Sequence, residues 1–227
     1  MFKRNIIIVT FFLIIFPISS KSHVEHYKNL NNLEFDIYRN NKHIGKHTFS
    51  FKRQDNKLSV ESEIDFEIKK LGVVLYKYNV KGEEVYENNN LIKFNSKTRQ
   101  NKKDKYVNIN VENNNFLIDG SSYKGTAPIS FIIGTWWNHS IIRAKAQISA
   151  VSGRIIKQKI EFIGKEKLKV EDKVYNTLHF NISSTDKKLN KDKKLNTDVW
   201  YDEETLNLIK VYFDKKGKWE YKLINLN

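Results

Sequence analysis

Histidines and carboxylates are where chemistry would have to reside, because the 227-residue chain has no cysteine. Disulfides, thiolate nucleophiles and thiolate zinc sites are excluded together. His43 and His47 are four residues apart, a spacing that would set two imidazoles on one helix face for a metal ion. On a strand the pair would share a face but lie ~13 Å apart, too far for one ion. Gly45 and the alternation running to Phe51 read as strand, so both histidines are expected to face solvent. Asp198 and Asp202 flank Trp200 and invite comparison with the paired carboxylates of glycosidases. Asp202-Glu203-Glu204 reads more naturally as hairpin chemistry. His139 follows Trp137-Asn138 with no serine elbow or cysteine partner in the sequence. No catalytic residue and no cofactor is therefore assigned, and the chain reads as a binder rather than an enzyme.

The side chains that suggest binding are aromatic. Trp136 and Trp137 are adjacent and precede Asn138 in an irregular stretch, and two neighbouring indoles cannot both bury on one strand face. One is expected at a rim, as an aromatic gate or ligand shelf. With Phe66, Tyr76, Tyr78 and Trp200 they form the candidate ligand-binding set.

The first twenty residues say where such a site would work. Lys3 and Arg4 precede an apolar run from Ile6 to Phe16, broken only by Thr10, and Pro17 leads into the small residues of Ser19-Ser20-Lys21-Ser22. This is the pattern of a secretory signal peptide, and the run is short of the ~20 residues that a spanning helix needs. Cleavage is expected after Ser20 or Ser22, delivering a periplasmic or secreted protein. No cysteine follows the run to carry a lipid anchor. Cleavage after Ser20 would start the chain Lys21-Ser22-His23, whose amine, two amides and imidazole suit square-planar Cu(II) or Ni(II). That is the one metal site the sequence suggests.

The chain's net charge of +14 drops to +12 when Lys3 and Arg4 are lost. Nucleic acid is nevertheless not the expected partner. Only six of the 40 basic residues are arginines, whose planar forks dominate base and phosphate recognition. The lysines are spread among asparagines and concentrate only at Lys187 to Lys194. They read as a solvated surface, with attraction to an anionic membrane as the second reading.

What must position the aromatic set is strand. Leu33, Phe35 and Ile37 alternate with polar partners up to Asn40-Asn41, and Ile44 to Phe51 returns. From Leu58 to Ile68 one face carries Val60, Ser62, Ile64 and Phe66, and the other Glu61, Glu63, Asp65 and Glu67. No helix sorts residues that way. A strand from Val74 to Tyr86 ends at Asn88-Asn89-Asn90, and Leu91 to Thr98 and Tyr106 to Val111 follow. Alternation lapses from Ser121 to Gly153, around Pro128, then resumes at Ile156 and continues to Leu223. An eleven-residue strand runs ~37 Å, and twist accumulated over roughly ten of them favours a curled sheet over a flat stack. The expectation is an all-β chain: one antiparallel, strongly curved sheet forming a barrel or half-barrel, with an irregular connection around 121–153. The domain reading is a signal peptide over 1–20, a lead-in over 21–32, and one β-barrel-like domain over 33–227.

The stretch Phe35 to Gly45, Leu71-Gly72-Val73, Thr135-Trp136-Trp137-Asn138, Ser152-Gly153-Arg154 and Asp198-Val199-Trp200-Tyr201-Asp202 resembles a family of uncharacterised exported bacterial proteins. The match spans roughly Leu33 to Leu223 and brings no established activity. More distantly, the closing hairpin resembles those of periplasmic lipoprotein carriers, whose half-barrels hold acyl chains. The favoured function is binding of an apolar or amphipathic, lipid-like ligand in a curved-sheet cavity. An envelope interaction module with a basic exterior and a hydrolase are the alternatives.

Overall fold

Among the described residues fifteen strands hydrogen-bond into one sheet, and between β1 and β8 the chain does so as a plain meander. The computed structural model describes residues 27–190 and 193–227; the expected signal segment, its expected cut sites at Ser20 and Ser22, and His23 lie outside the described residues. The strands are β1 (Asn32–Arg39), β2 (Lys42–Gln54), β3 (Lys57–Lys70), β4 (Val73–Glu87), β5 (Asn90–Gln100), β6 (Lys103–Glu112), β7 (Asn115–Gly120) and β8 (Lys124–Pro128). There follow β9 (Ile132–Ile133), β10 (Ala146–Ile148), β11 (Ile155–Val170), β12 (Lys173–Ser184), β13 (Asn196–Asp202), β14 (Leu208–Asp214) and β15 (Lys218–Leu226). Among the described residues helix is limited to short 3₁₀ turns, the longer being His139–Ile142.

The count exceeds the roughly ten strands expected because the lapse in alternation hides short ones. Within 121–153 lie β8, β9 and β10, of five, two and three residues, too brief to show a period. The fold is not a closed barrel either. In the strand order β8-β7-β6-β5-β4-β3-β2-β1-β15-β14-β13-β12-β11-β10-β9, the outermost members β8 and β9 are not paired with each other. Residues 129–131 alone join these two opposite edges, and four extended Cα steps reach at most ~14 Å. The sheet must therefore curl until its edges nearly meet.

Turn chemistry sets the register. Asn40-Asn41, Asn88-Asn89 and Asn113-Asn114 all have φ between 46° and 65°, the paired left-handed conformation of tight hairpins that asparagine tolerates best. At Gly45 the β2 and β3 backbones come so close that a Cβ would lie 2.0 Å from the Asp65 carbonyl oxygen. Alternation then directs Phe35, Ile37, Phe49, Val60, Val199 and Val211 to the concave face, where all are buried in one core. The lead-in contributes too: Tyr27 and Leu30 belong to that core.

Candidate functional site

The concave face is only partly filled, and the space left is the candidate site. One cavity of about 800 Å³ opens between the two limbs of the curled sheet, a size usual for small-molecule sites. Alternate residues of β3 and β4 make one wall: Ile64, Phe66, Tyr76, Tyr78 and Val80. Phe213, Trp219 and Tyr221 from β14 and β15 face them, and Trp136, Ala150 and Val151 roof the space. The rings interlock, Phe66 stacking on Tyr78 at 4.9 Å and meeting the edge of Trp219 at 5.3 Å.

Of the seven residues selected from the sequence, Trp136, Phe66, Tyr76 and Tyr78 line this cavity. Trp137 lies behind it, fully buried against Tyr27, Phe51 and Tyr86. Its indole Nε1 donates to Glu84 Oε1 at 2.7 Å, as does Thr135 Oγ1, and the Tyr86 hydroxyl donates to Glu84 Oε2 at 2.5 Å. Burial raises the Glu84 pKa, and the three donated bonds oppose that shift without cancelling it. Asn138 is also buried; its Oδ1 caps the helical turn by accepting from the Ser140 amide at 3.0 Å. The Trp-Trp pair thus divides, one indole in the core and one at the cavity.

Trp200 is a correction. Val199 and Tyr201 take the inward positions of β13, so Trp200 faces outward, stacked on the His179 ring at 4.0 Å with Lys210 Nζ 4.9 Å from its centroid. His179 bonds Glu166 through Nδ1 at 2.7 Å and Asp198 through Nε2 at 3.0 Å. Asp198 thus pairs with a histidine rather than with Asp202. Asp202 shapes the following turn by accepting from the amide and hydroxyl of Thr205, both at 2.8 Å. His139 finds its partner in Tyr27, whose hydroxyl lies 2.8 Å from Nδ1 and accepts from the His139 amide at 2.9 Å.

The two spaced histidines part company, and this is a second correction. Ile37 pairs with Gly45 but Tyr38 with His43, leaving Ile44 as a bulge that reverses the alternation. His43 is exposed and bonds Asp36 at 3.1 Å on the outer face. His47 turns inward, its ring tilted against Phe49 with centroids 4.2 Å apart, buried, and part of the cavity wall. Burial lowers its pKa to about 3, so it is neutral at physiological pH.

Three features of the cavity escaped the sequence reading. His47 was legible, since it falls in period with Phe49 and Phe51. Trp136 has φ 65, a left-handed backbone rare for a bulky residue, and no local pattern announces it. Most telling, Trp136 Nε1 and Arg39 Nε are buried donors without a hydrogen-bond partner, and both residues line the cavity. Arg39 is held by a bond from its guanidinium to the Lys216 carbonyl and by its position 5.6 Å from the Trp219 ring. The wall is mostly apolar, with polar groups such as Gln100, Gln147 and Ser149 among the aromatics and two unmet donors.

The geometry defines an open, nearly closed β-sheet whose hollow face carries an aromatic cavity. The chain belongs to the family described as domain of unknown function DUF6134, whose profile matches residues 35–224, in keeping with the resemblance read from the sequence. Among solved structures it is similar to a beta-barrel-like protein of domain of unknown function DUF1849 from Brucella abortus. That likeness has a TM-score of 0.61 at 10% identity, over 87% of this chain and 97% of that one, and concerns the fold alone. A DUF1329 family protein from Desulfovibrio piger aligns over 90% of this chain and 89% of its own at 10% identity, but with a TM-score of 0.21, too low to support a shared fold. No curated protein matches the chain.

Proposed function

We propose that the protein is an exported, non-catalytic binding protein for an amphipathic, lipid-like molecule. The observation that carries this reading is the apolar cavity of about 800 Å³ with buried, unpartnered donors on Arg39 and Trp136 in its wall. An acyl chain fits the aromatic walls, and a carboxylate or ester oxygen at its end would satisfy donors that otherwise stay costly. Neutral His47 adds polar surface without opposing an apolar chain. Export rests on the leader pattern of residues 1–20. The test is titration with cis-parinaric acid, a fluorescent fatty acid. Wild type should bind it, Ile64→Trp should fill the cavity and abolish uptake, and Arg39→Met should weaken the acid about tenfold while sparing the matching alcohol. Equal binding by wild type and Ile64→Trp would refute the site.

A further inference from the structure

The hairpin joining β3 and β4 reaches past both of its neighbours in the sheet. Phe66 is the last β3 residue paired with β2, and Tyr78 the last β4 residue paired with β5. Only Lys77 beyond it is held from the side, by two backbone-directed bonds with Asn101 at 2.8 Å. Residues 68–70 and 73–76 pair with each other alone, a two-stranded ribbon projecting on the order of 10 Å.

The tip of this ribbon is apolar where its surroundings are wet. Leu71 is 95% exposed, Val73 62% and Leu75 56%. Leu71 and Gly72 form the turn with φ of 50° and 79°, the conformation that the chain elsewhere gives to Asn-Asn pairs. A leucine there is disfavoured by its backbone and by its exposure, so turn formation does not explain it. The inner side of the same ribbon is functional surface: Ile68, Leu75 and Tyr76 line the cavity. The tip is therefore continuous with the cavity wall.

Its surroundings are basic. Antiparallel pairing sets the β1–β2, β3–β4, β5–β6 and β14–β15 turns at one end of the sheet. Exposed Lys69 and Lys70 flank the tip, Lys102 and Lys103 lie on the neighbouring turn, and Lys215 and Lys216 sit at the cavity. The counter-charges at this end are fewer: Glu67, bonded to both Lys69 and Lys77 at 3.0 Å, and exposed Asp104 and Asp214 on the neighbouring turns.

We propose that this end of the molecule docks on an anionic lipid bilayer, with Leu71, Val73 and Val74 inserted and the lysines against the headgroups. Apolar residues within a basic rim are the chemistry of an interfacial anchor. Docking in this pose brings Ile68, Leu75, Lys215 and Lys216 of the cavity lining to the membrane surface, so an acyl chain would have a short path from bilayer to protein. The purpose rests on the ligand reading above, but the docking is tested independently of it.

The experiment is flotation of the purified full chain with phosphatidylcholine vesicles, with and without phosphatidylglycerol, alongside cis-parinaric acid uptake in solution. Wild type should float with phosphatidylglycerol vesicles, ignore pure phosphatidylcholine, and release as salt rises. Leu71→Asp/Val73→Asp, with an unchanged circular dichroism spectrum, should partition at least tenfold less while keeping probe uptake. Ile64→Trp should float like wild type without taking up probe. Flotation of wild type with no probe uptake by wild type itself would remove the ligand reading and leave docking standing. Failure of wild type to float on anionic vesicles, or wild-type flotation of the tip variant, would overturn the docking proposal.

Discussion

His47 makes the fold's acid sensitivity a sharp prediction. Its ring is 4% exposed, packed on Phe49 and Phe35 and meeting Tyr221 edge-on at 5.8 Å, and burial lowers its pKa from 6.5 to about 3. Between these values the unfolded chain binds a proton that the folded chain refuses, so stability is full above pH 6.5 and lost as pH falls toward 3. Each pH unit costs about 1.4 kcal/mol, which comes to about 3 kcal/mol at pH 4. Glu84, whose folded pKa is raised, acts in the opposite sense, contributing stability at low pH that is lost as pH rises from 4.5 through its folded value. Urea unfolding of wild type and His47→Leu at pH 7.5, 5.5 and 4 separates the two effects, because the carboxylate is common to both proteins. The difference in unfolding free energy should move in favour of His47→Leu by about 3 kcal/mol between pH 7.5 and 4. A difference that stays flat with pH would refute the buried, neutral imidazole.

Other variants probe the elements that build the site. Glu84→Ala strands three buried donors and should cost about 3–5 kcal/mol in urea unfolding, whereas Glu84→Gln keeps acceptor and shape and should cost under about 1.5 kcal/mol. Gly45→Ala forces a Cβ against the Asp65 carbonyl oxygen and Phe66 and should lower the unfolding free energy by more than about 3 kcal/mol. Trp136→Gly relieves a left-handed backbone but loses the indole's packing on Phe213 and Tyr221, so it should lower the unfolding free energy by about 2–4 kcal/mol and weaken cis-parinaric acid at least about fivefold by removing the cavity roof.

The alternation of Val60 to Phe66 was enough to place the cavity wall, because a period of two allows one inward face once the other carries Glu61, Glu63 and Asp65. The asparagine turns were equally legible, since their left-handed backbone is a property of two adjacent residues. What escaped notice depends on partners far along the chain. The bulge at Ile44, which sends His43 to the face opposite His47, exists only in the pairing with β1. Trp200 followed the aromatic pattern of the cavity set, but Val199 and Tyr201 compete for the inward face and win it. The acceptor for the Trp137 indole is Glu84, 53 residues earlier, and no local spacing connects them. β9 and β10 are short segments that become strands only because β11 stands ready to pair.

Whether the hollow face of the sheet holds a lipid-like molecule is tested most directly by native mass spectrometry of the freshly purified protein, followed by solvent extraction. A one-to-one acyl-bearing adduct on wild type, absent from folded Ile64→Trp, is the predicted result. Bare protein masses for both, together with no uptake of added fatty acid by wild type, would contradict the account.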